Sequence, residues 1–231
     1  MGRDLNKKED TNKPPVLMEI KNAIEFDEST LKVVDLFSGL GGFSQAFKDR
    51  GHFVETFDIN PEFNPDRVID ILKVDSFTGV DVILASPPCE CFSVASIGHH
   101  WKGGKPSEKA VHALELVKHT LNLIYDSRPK YWFLENPMGM LRTIIGNPPV
   151  TLYFAQFGEN RLKPTDMWGR HPKGFKESII RDKSLLDYEK APRGSRTGTQ
   201  GVKGSAERAK IPYALSLEIC KLCERGKKQE E

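Results

Sequence analysis

The chain has 231 residues, of which 38% are hydrophobic and 29% charged, and its formal net charge is +2. This composition predicts a globular domain with its own core and excludes a chain that is disordered throughout. The net charge does not indicate a nucleic-acid binder, so any basic surface must be local. Because the sequence shows neither a signal peptide nor a run of ~20 apolar residues, we expect a cytoplasmic protein without membrane contact.

Short apolar runs alternate with helical segments along the chain. Residues 1–30 are polar and predict a flexible extension, followed by one domain over residues 31–231. The runs LKVVDLF, GHFVETFDIN, VDVILAS and KYWFLEN predict four buried strands, and TLYFAQF predicts a fifth. Ser107 is the predicted N-cap of a helix that ends at Arg128. This alternation indicates an α/β fold, with a mostly parallel sheet and helices on both faces.

The ends of the predicted strands carry several candidate functional residues. Ligands of parallel sheets bind beyond the carboxyl ends of the strands. Gly39, Asp58, Pro87 and Glu135 all lie at or just after such ends, so we expect them along one rim.

The turn after the first predicted strand, DLFSGLGGFSQAF, contains three glycines, at Gly39, Gly41 and Gly42. Glycines let the backbone turn sharply and approach a ligand closely. Asp58, about twenty residues further on, is placed to accept hydrogen bonds from the hydroxyls of a ribose. Ser44 stands where GxGxxG has its last glycine, which argues against a dinucleotide.

The chain also has no GKS or GKT sequence, which excludes the usual loop for a nucleoside triphosphate. A nucleoside without a pyrophosphate fits the turn better, and S-adenosylmethionine is the obvious candidate. Asp70 and Ile71, at the end of RVIDI, are then expected near its adenine. The alternative is an ordinary tight turn between a strand and a helix.

The segment SPPCECFS places a thiol after the third predicted strand. Pro87 and Pro88 fix two φ angles and remove two donors, so Cys89 is positioned before a substrate arrives. A free thiol has a pKa of ~8.5, and near a cation it becomes a competent nucleophile. The alternative is an inert, buried cysteine.

The fourth predicted strand ends in FLENP, which puts Glu135 and Asn136 on the same rim. A glutamate is rarely buried without a partner or a task. A thiolate and a protonatable carboxyl beside a methyl donor suit attack on an electron-poor ring that needs a proton, such as a pyrimidine.

With these pieces assembled, the chain resembles the DNA cytosine-5 methyltransferases. DLFSGLGGF, Asp58, SPPCECFS and FLENP occur in the order of that family, and AKIPYALSLEI near the C-terminus is a weaker match. The resemblance implies a Rossmann-like, class I S-adenosylmethionine-dependent methyltransferase fold. It also implies that Cys89 attacks C6 of a flipped cytosine in DNA, that Glu135 meets ring N3 and the exocyclic amine, and that C5 takes the methyl group.

The resemblance assigns further residues by type of contact. The cofactor-binding residues it implies are Phe37, Ser38, Gly39, Leu40, Gly41, Gly42, Asp58, Ile59, Asp70, Ile71 and Pro87. Catalytic roles are implied for Cys89, Glu135, Arg161 and Lys163, and a nucleic-acid contact for Ser93. We expect a monomer and no metal.

Two motifs depart from the family pattern. The family's Glu-Asn-Val is Glu135-Asn136-Pro137 here, which leaves the carboxyl available. If Phe157-Gly158 aligns with the family's aromatic-Gly pair, Arg161 and Lys163 take the places of the glutamine and the first arginine in Gln-x-Arg-x-Arg.

The region before the last motif is short compared with the family. Residues 160–210 form a reduced target-recognition region, as in short members encoded by phages and mobile elements. Its part from Arg193 to Lys210 holds five cations against one glutamate, a net charge of +4, and four glycines. This pattern fits either a solvated loop or a flexible arm that binds phosphates through Arg193, Arg196 and Lys203.

The segment GHHWKGGK follows Cys89 closely. In the family this region is a mobile loop that closes over the substrate, with Gly98, Gly103 and Gly104 as hinges and Trp101 or the two histidines against DNA. An ordinary surface loop is the alternative.

Three other functions compete with the main hypothesis. An amino-group methyltransferase usually has an aromatic residue after SPP, where this chain has Cys89. An RNA cytosine-5 methyltransferase would share every catalytic residue. A catalytically silent accessory protein would need neither Cys89 nor Glu135. Cys220 and Cys223 form a CxxC that lacks a matching second pair, so we expect them on the last helix as small hydrophobic residues.

Overall fold

The computed structural model describes the backbone of residues 17–19 and all of residues 29–190 and 204–228. The strands are β1 (Leu17–Glu19), β2 (Lys32–Leu36), β3 (Phe53–Asp58), β4 (Arg67–Val68), β5 (Ser76–Thr78), β6 (Val82–Ala85), β7 (Trp101–Lys102), β8 (Lys105–Pro106), β9 (Tyr131–Pro137), β10 (Val150–Tyr153) and β11 (Pro164–Arg170). The helices are α1 (Gln45–Asp49), α2 (Ile97–His100), α3 (Glu108–Ser127), α4 (Leu141–Ile145), α5 (Phe175–Ser178), α6 (Ser205–Ala209) and α7 (Tyr213–Lys228). Short 3-10 turns lie at Pro61–Phe63, Ile71–Lys73, Phe154–Phe157 and Lys183–Leu185.

Seven strands form one central sheet, in the order β10-β11-β9-β6-β2-β3-β4. Strands β4, β3, β2, β6 and β9 run parallel to their neighbours, β11 is antiparallel to β9, and β10 is antiparallel to β11. The mostly parallel sheet confirms the predicted α/β class. Its strand order, with one reversed strand next to the edge, is that of the class I methyltransferase fold.

The central strands are largely apolar because helices cover both faces of the sheet. Along β2, Val33 packs with Phe47 and Leu215 of the core that α1 and α7 form. The next residue, Val34, points to the other face, into a core that includes Leu123 of α3. The predicted helices on both faces are therefore confirmed.

The long helix follows its sequence signals closely. Ser107 caps α3, and its Oγ accepts a hydrogen bond from the Ala110 amide at 3.2 Å. Arg128 ends the helix in the left-handed region, with φ of 49°. Both ends are where the sequence predicted them.

The fifth predicted strand is correct only in part, and a strand after it was missed. TLYFAQF is extended to Tyr153 and then becomes a 3-10 turn, which Gly158 ends with φ of 86°. The missed strand is β11, which pairs with β9. Its polar Asp166 hid the strand from sequence analysis, because this fully buried carboxylate is satisfied by Arg142 of α4.

Two segments predicted to be irregular contain regular structure. Leu17–Glu19, within the segment predicted as a flexible extension, pairs in parallel with β5. Ser205–Ala209 forms α6 inside the predicted basic arm, where alanines and a glutamate favour helix. None of the helices in the described ranges combines the length and the hydropathy needed to cross a bilayer.

Candidate active site

The turn between β2 and α1 is held by the end of the neighbouring strand β3. The Ser38 amide donates to the carbonyl of Phe57 at 3.1 Å, and the Gly39 amide donates to Oδ2 of Asp58 at 2.9 Å. Gly39 and Gly41 have φ of 48° and 71°, which glycine adopts without strain. Asp58 therefore shapes the turn in addition to lying on the rim where a ribose acceptor was predicted.

The third glycine of the turn makes room for the C-terminal segment. A Cβ on Gly42 would lie 2.7 Å from the carbonyl oxygen of Ile211, closer than real side chains approach. Ser216 of α7 adds two hydrogen bonds, since its Oγ donates to the carbonyl of Phe43 at 2.6 Å and accepts from the Ala46 amide at 3.2 Å. The weak C-terminal motif thus packs directly on the glycine turn.

Sequence analysis missed a buried acid beneath this turn. Asp35 of β2 is fully buried, and Ser44 donates to its Oδ2 at 2.6 Å while its Oδ1 has no partner. Burial raises the pKa of Asp35 to about 7, against the lowering effect of the Ser44 hydrogen bond. The sequence signal for this buried acid was an acidic residue inside an apolar strand. The hydrogen bond from Ser44 also explains why a serine stands where GxGxxG has its last glycine.

The predicted adenine contacts lie beside the end of β3. The Ile69 amide donates to the carbonyl of Asp58 at 3.0 Å, which places Asp70 and Ile71 next to that strand end. Asp70 caps the 3-10 turn through Leu72 at 3.1 Å. Two apolar side chains of the predicted cofactor set, Ile59 and Leu40, are 67% and 40% exposed and available to a ligand.

The proline arm that carries Cys89 leaves β6 and is attached to β9. Asn136 donates from Nδ2 to the carbonyl of Pro87 at 3.0 Å. After the arm the chain turns at once, because the amides of Phe92 and Ser93 both donate to the carbonyl of Cys89, at 3.0 and 3.1 Å. Burial and, to a smaller extent, nearby Glu135 raise the pKa of the Cys89 thiol to about 11, although Lys163 opposes the rise.

Glu135 lies near the end of β9, just beyond the pairing of β9 with β6, and its side chain is turned into the protein. Its side chain is buried, and Oε1 has no hydrogen-bond partner. Burial raises the pKa of Glu135, while the ammonium of Lys163 opposes the shift. Because β6 and β9 are adjacent and parallel, the structure brings Cys89 and Glu135 to the same rim, as the strand order implied.

Of the two predicted cations, Lys163 is the one that faces this pair. It lies just before β11, with φ of 30°, and its Nζ sits 3.9 Å from the centre of the Phe154 ring. Burial lowers the pKa of Lys163, and the charges of Glu135 and Cys89 partly restore it. Arg161 is buried as well, but it pairs with Glu159 at 2.9 Å.

Buried polar atoms without partners gather at this rim. Within the described residues, such side-chain atoms are Asp35 Oδ1, Ser86 Oγ, Glu135 Oε1, Asn136 Oδ1 and His171 Nε2. All but the histidine belong to β2, to the residue after β6, or to β9, which are three adjacent strands. Unpaired buried polar groups are costly, so their concentration at one place indicates a candidate site for polar ligands.

The segment predicted as a closing loop contains a small hairpin. Gly103 and Gly104 have φ of 60° and 77°, as a two-residue turn between β7 and β8 requires. Trp101 is half-buried and donates from Nε1 to the carbonyl of Cys91 at 2.8 Å. The tryptophan thus anchors the hairpin beside the cysteine arm and the two glycines form its turn, while its contact with DNA stays a prediction.

Ser93, the predicted nucleic-acid contact, lies in the turn that follows Cys89. Its Oγ is 2.9 Å from Oγ of Ser96, and its backbone forms an isolated bridge with Gly139. The other predicted nucleic-acid contacts, Arg193, Arg196 and Lys203, lie outside the described residues.

The C-terminal cysteines are free and buried on α7, as predicted. Cys220 lies near His52 and Glu224, a grouping of possible metal ligands. However, His52 accepts from the Leu31 amide at Nδ1, so its Nε2 carries the proton that it donates to Glu224 at 2.9 Å. Arg50 binds both oxygens of the same carboxylate. These contacts describe a hydrogen-bonded ion-pair network.

Comparison with known proteins adds a family to this geometry. Residues 31–147, about half of the chain, match the family described as C-5 cytosine-specific DNA methylase. The matched region contains the glycine turn, the proline arm with Cys89 and the strand end with Glu135.

Relatives match over different shares of their length. The chain is 26% identical over 217 residues to the "Probable DNA (cytosine-5)-methyltransferase" of frog virus 3, and the match covers 84% of the chain and all of that protein. It is 30% identical over 138 residues to the type II methyltransferase M.Bsp6I of a Bacillus strain, covering 54% of the chain but only 42% of that protein. Among solved structures, the Entamoeba histolytica methyltransferase EhMeth matches 71% of the chain and 58% of its own chain, with 17% identity and a TM-score of 0.42.

Proposed function

The chain belongs to the C-5 cytosine-specific DNA methylase family, and we propose that it transfers a methyl group from S-adenosylmethionine to C5 of a flipped cytosine in DNA. The observation that carries this proposal is the meeting of Cys89 and Glu135 at adjacent strand ends, with the Glu135 Oε1 unpaired and Lys163 facing both. The base must leave the stack because its ring cannot be attacked inside the duplex, and extruding it costs a few kcal/mol.

The residues at the ends of β2 and β3 fit S-adenosylmethionine. The glycine turn leaves space for close approach, Asp58 retains lone pairs for the ribose hydroxyls, and Ile59 offers an exposed apolar face for the adenine. The unpaired, buried Oδ1 of Asp35 can hydrogen-bond to a ligand group, as a donor when the carboxyl is protonated and as an acceptor when it is ionised. When bound, S-adenosylmethionine supplies an electrophilic methyl group. Ser38, Gly41, Asp70, Ile71 and Pro87 complete the proposed contacts.

Cys89 is the proposed nucleophile, and its surroundings define what activates it. With a pKa of about 11 in the free protein, the thiol is protonated at neutral pH, so it needs help to attack C6. The ammonium of Lys163 favours the thiolate, and the restraints on both sides of Cys89 hold the sulfur in place. Lys163 is therefore the proposed counterpart of the family's first arginine. Arg161 is paired with Glu159.

Glu135 is the proposed acid for the ring. Its raised pKa favours the protonated carboxyl, which can donate to N3 as the Cys89 sulfur adds to C6. The ring then carries its extra electron density at C5, which attacks the methyl group. The C5 proton is lost to solvent, the Cys89 thiolate leaves C6, and the N3 proton returns to Glu135, which restores the aromatic ring and the free enzyme.

The buried thiol and carboxyl of the site distinguish the proposed function from an accessory role. An accessory protein that only binds DNA needs no buried, unpaired carboxyl beside a thiol, and such groups cost stability. An RNA cytosine-5 methyltransferase would use the same site, and membership in a DNA methylase family favours DNA. For duplex binding we propose Ser93 and the cations Arg193, Arg196 and Lys203 of the reduced target-recognition region over residues 160–210.

One incubation tests this function. The protein is mixed with S-adenosylmethionine labelled in the methyl group and with either duplex DNA or RNA, and the digested nucleosides are identified. We expect labelled 5-methyldeoxycytidine from DNA. Labelled 5-methylcytidine from RNA alone would assign the RNA activity instead, and no label in either with the cofactor bound would favour the accessory role.

A further inference from the structure

Gly139, two residues after β9, lies against the turn that follows Cys89. Its backbone forms an isolated antiparallel bridge with Ser93, and the Met140 amide donates to the carbonyl of Phe92 at 2.8 Å. A Cβ on Gly139 would fall far inside the 3.0 Å that real Cβ atoms keep from a carbonyl oxygen, here that of Phe92. Its φ is outside the left-handed region, so this close approach alone requires glycine.

The carbonyl that Gly139 approaches belongs to the turn that fixes Cys89. The amides of Phe92 and Ser93 both donate to the Cys89 carbonyl. The Phe92 side chain is fully buried, so the turn cannot retreat without disturbing the core. A displacement of the Phe92 carbonyl therefore also displaces Cys89, because hydrogen bonds join the two residues in one turn.

Cys89 thus lies between two attachments to the same strand and its extension. Before the cysteine, Asn136 binds the carbonyl of Pro87, and after it, Gly139 and Met140 bind the turn at Phe92. Glu135 stands on that strand. The pairing of β6 with β9 ends at Ala85 and Leu134, before either reactive residue. The two attachments therefore fix the position of the sulfur relative to the carboxyl, because the strand pairing alone does not.

We propose that Gly139 is a positioning residue for Cys89: its close contact with the Phe92 carbonyl sets the distance between the sulfur and Glu135. This inference rests on the proposed function for its consequence on methyl transfer, but its geometric part concerns the thiol itself. A side chain at residue 139 displaces the turn and moves the sulfur outward, away from the buried carboxyl. A misplacement of about 1 Å can cost ~100-fold in rate.

The test compares Gly139→Ala with the wild type by alkylation of Cys89 with iodoacetamide, followed by mass spectrometry over a range of pH. We expect alkylation of Cys89 in Gly139→Ala to be several-fold faster at pH 8, with its pH profile shifted to lower pH. Cys220 and Cys223, buried on α7, should stay unmodified, which shows that the fold is intact. Methyl transfer should fall by at least ~10-fold, with the affinity for S-adenosylhomocysteine unchanged.

Gly226→Ala is the control for adding a methyl group far from Cys89. A Cβ there would meet the Tyr131 hydroxyl at the opposite end of β9, and this end of a side chain can move aside whereas the Phe92 backbone carbonyl cannot. Gly226→Ala should leave Cys89 alkylation unchanged. If Gly139→Ala does not fold, Met140→Pro serves instead, since Met140 has φ of −64° and proline removes the amide that holds Phe92.

A folded variant with wild-type alkylation of Cys89 at every pH would overturn the inference. A wild-type protein that transfers no methyl group, but whose Cys89 reactivity responds to residue 139 as described, would overturn the proposed function and leave the positioning role standing.

Discussion

Asn136 donates a hydrogen bond of 3.0 Å to the carbonyl oxygen of Pro87. This bond joins β9, which carries Glu135 near its end, to the rigid arm that carries Cys89. Because both partners are buried, the bond is not exchanged for water and keeps the two reactive side chains on one rim. The proposed chemistry depends on that arrangement.

Replacement of the carboxyl should separate chemistry from binding. Glu135→Gln keeps the size and a donor but cannot transfer a proton, so we expect methyl transfer to fall by ~100-fold or more. Binding of S-adenosylhomocysteine, measured by calorimetry, should be unchanged because its proposed site lies at the ends of β2 and β3.

Glu55→Gln provides the matched control for that variant. Glu55 is a buried glutamate of β3 that binds Arg67 at 2.7 Å, away from the rim with Cys89. Glu55→Gln should be less stable than the wild type and keep the wild-type rate of methyl transfer. Equal rates for Glu135→Gln and the wild type would exclude Glu135 as the acid.

A lysine at residue 163 should give the activity an alkaline limit. Burial lowers the pKa of Lys163, so its positive charge is lost at a lower pH than that of an exposed lysine. The charged or titratable groups that face it are Glu135, Cys89, Arg161 and Glu159. Since arginine stays charged, Lys163→Arg should move the alkaline limb of the transfer rate, measured from pH 6 to 11, to higher pH.

Lys163→Met completes that comparison, because it removes the charge and keeps a long side chain. It should slow both methyl transfer and alkylation of Cys89 at every pH, since the thiolate loses its neighbouring cation. Identical alkaline limits in the wild type and Lys163→Arg would show that another group sets the limit.

The buried acid beneath the glycine turn should make stability depend on pH. The folded-state pKa of Asp35 is raised from 3.8 to about 7, so the fold favours the protonated form. Its contribution is full below pH 3.8 and is lost as the pH rises through 7, by an amount of order 4 kcal/mol for a shift of about three pKa units. Asp35→Asn should therefore unfold at a higher temperature than the wild type at pH 8, with little difference at pH 4.

Asp66→Asn should show the opposite sign in the same melting experiment. Burial acts to raise the pKa of Asp66, but hydrogen bonds from Thr56 outweigh it and lower the pKa. Its charge therefore contributes stability above the ordinary pKa of a carboxylate, and the asparagine lacks this contribution.

For Asp35, the quantity that decides is the difference in melting temperature between Asp35→Asn and the wild type. The same difference at pH 4 and pH 8 would contradict the buried, protonated state.

The basic arm should contribute through phosphates. Neutralising Arg196 and Lys203 together should weaken duplex binding and reduce the slope of log affinity against log salt by about 2, one for each lost contact. Fluorescence anisotropy at several salt concentrations measures this slope, and an unchanged slope would mean that the arm does not contact DNA.

The sequence predicted the fold where periodicity was clean and failed where tertiary contacts decided the outcome. β2, β6 and α3 were correct because apolar patterns and a serine cap mark them locally. β11 was missed because Asp166 is buried with Arg142, a contact between residues far apart in the chain. For the same reason the sequence could name Cys89 and Glu135 but could not distinguish Lys163, which faces them, from Arg161, which pairs with Glu159.

The most direct test of the central claim is to trap the bond between the enzyme and the base. The protein is incubated with S-adenosylmethionine and a duplex that contains 5-fluorocytosine, which carries no proton at C5 to lose, and the tryptic peptides are analysed by mass spectrometry. We predict a methylated fluorocytosine attached to the peptide at Cys89, and no adduct with Cys89→Ser. Methylation of ordinary cytosine by Cys89→Ser, or an adduct on the neighbouring Cys91, would contradict the account.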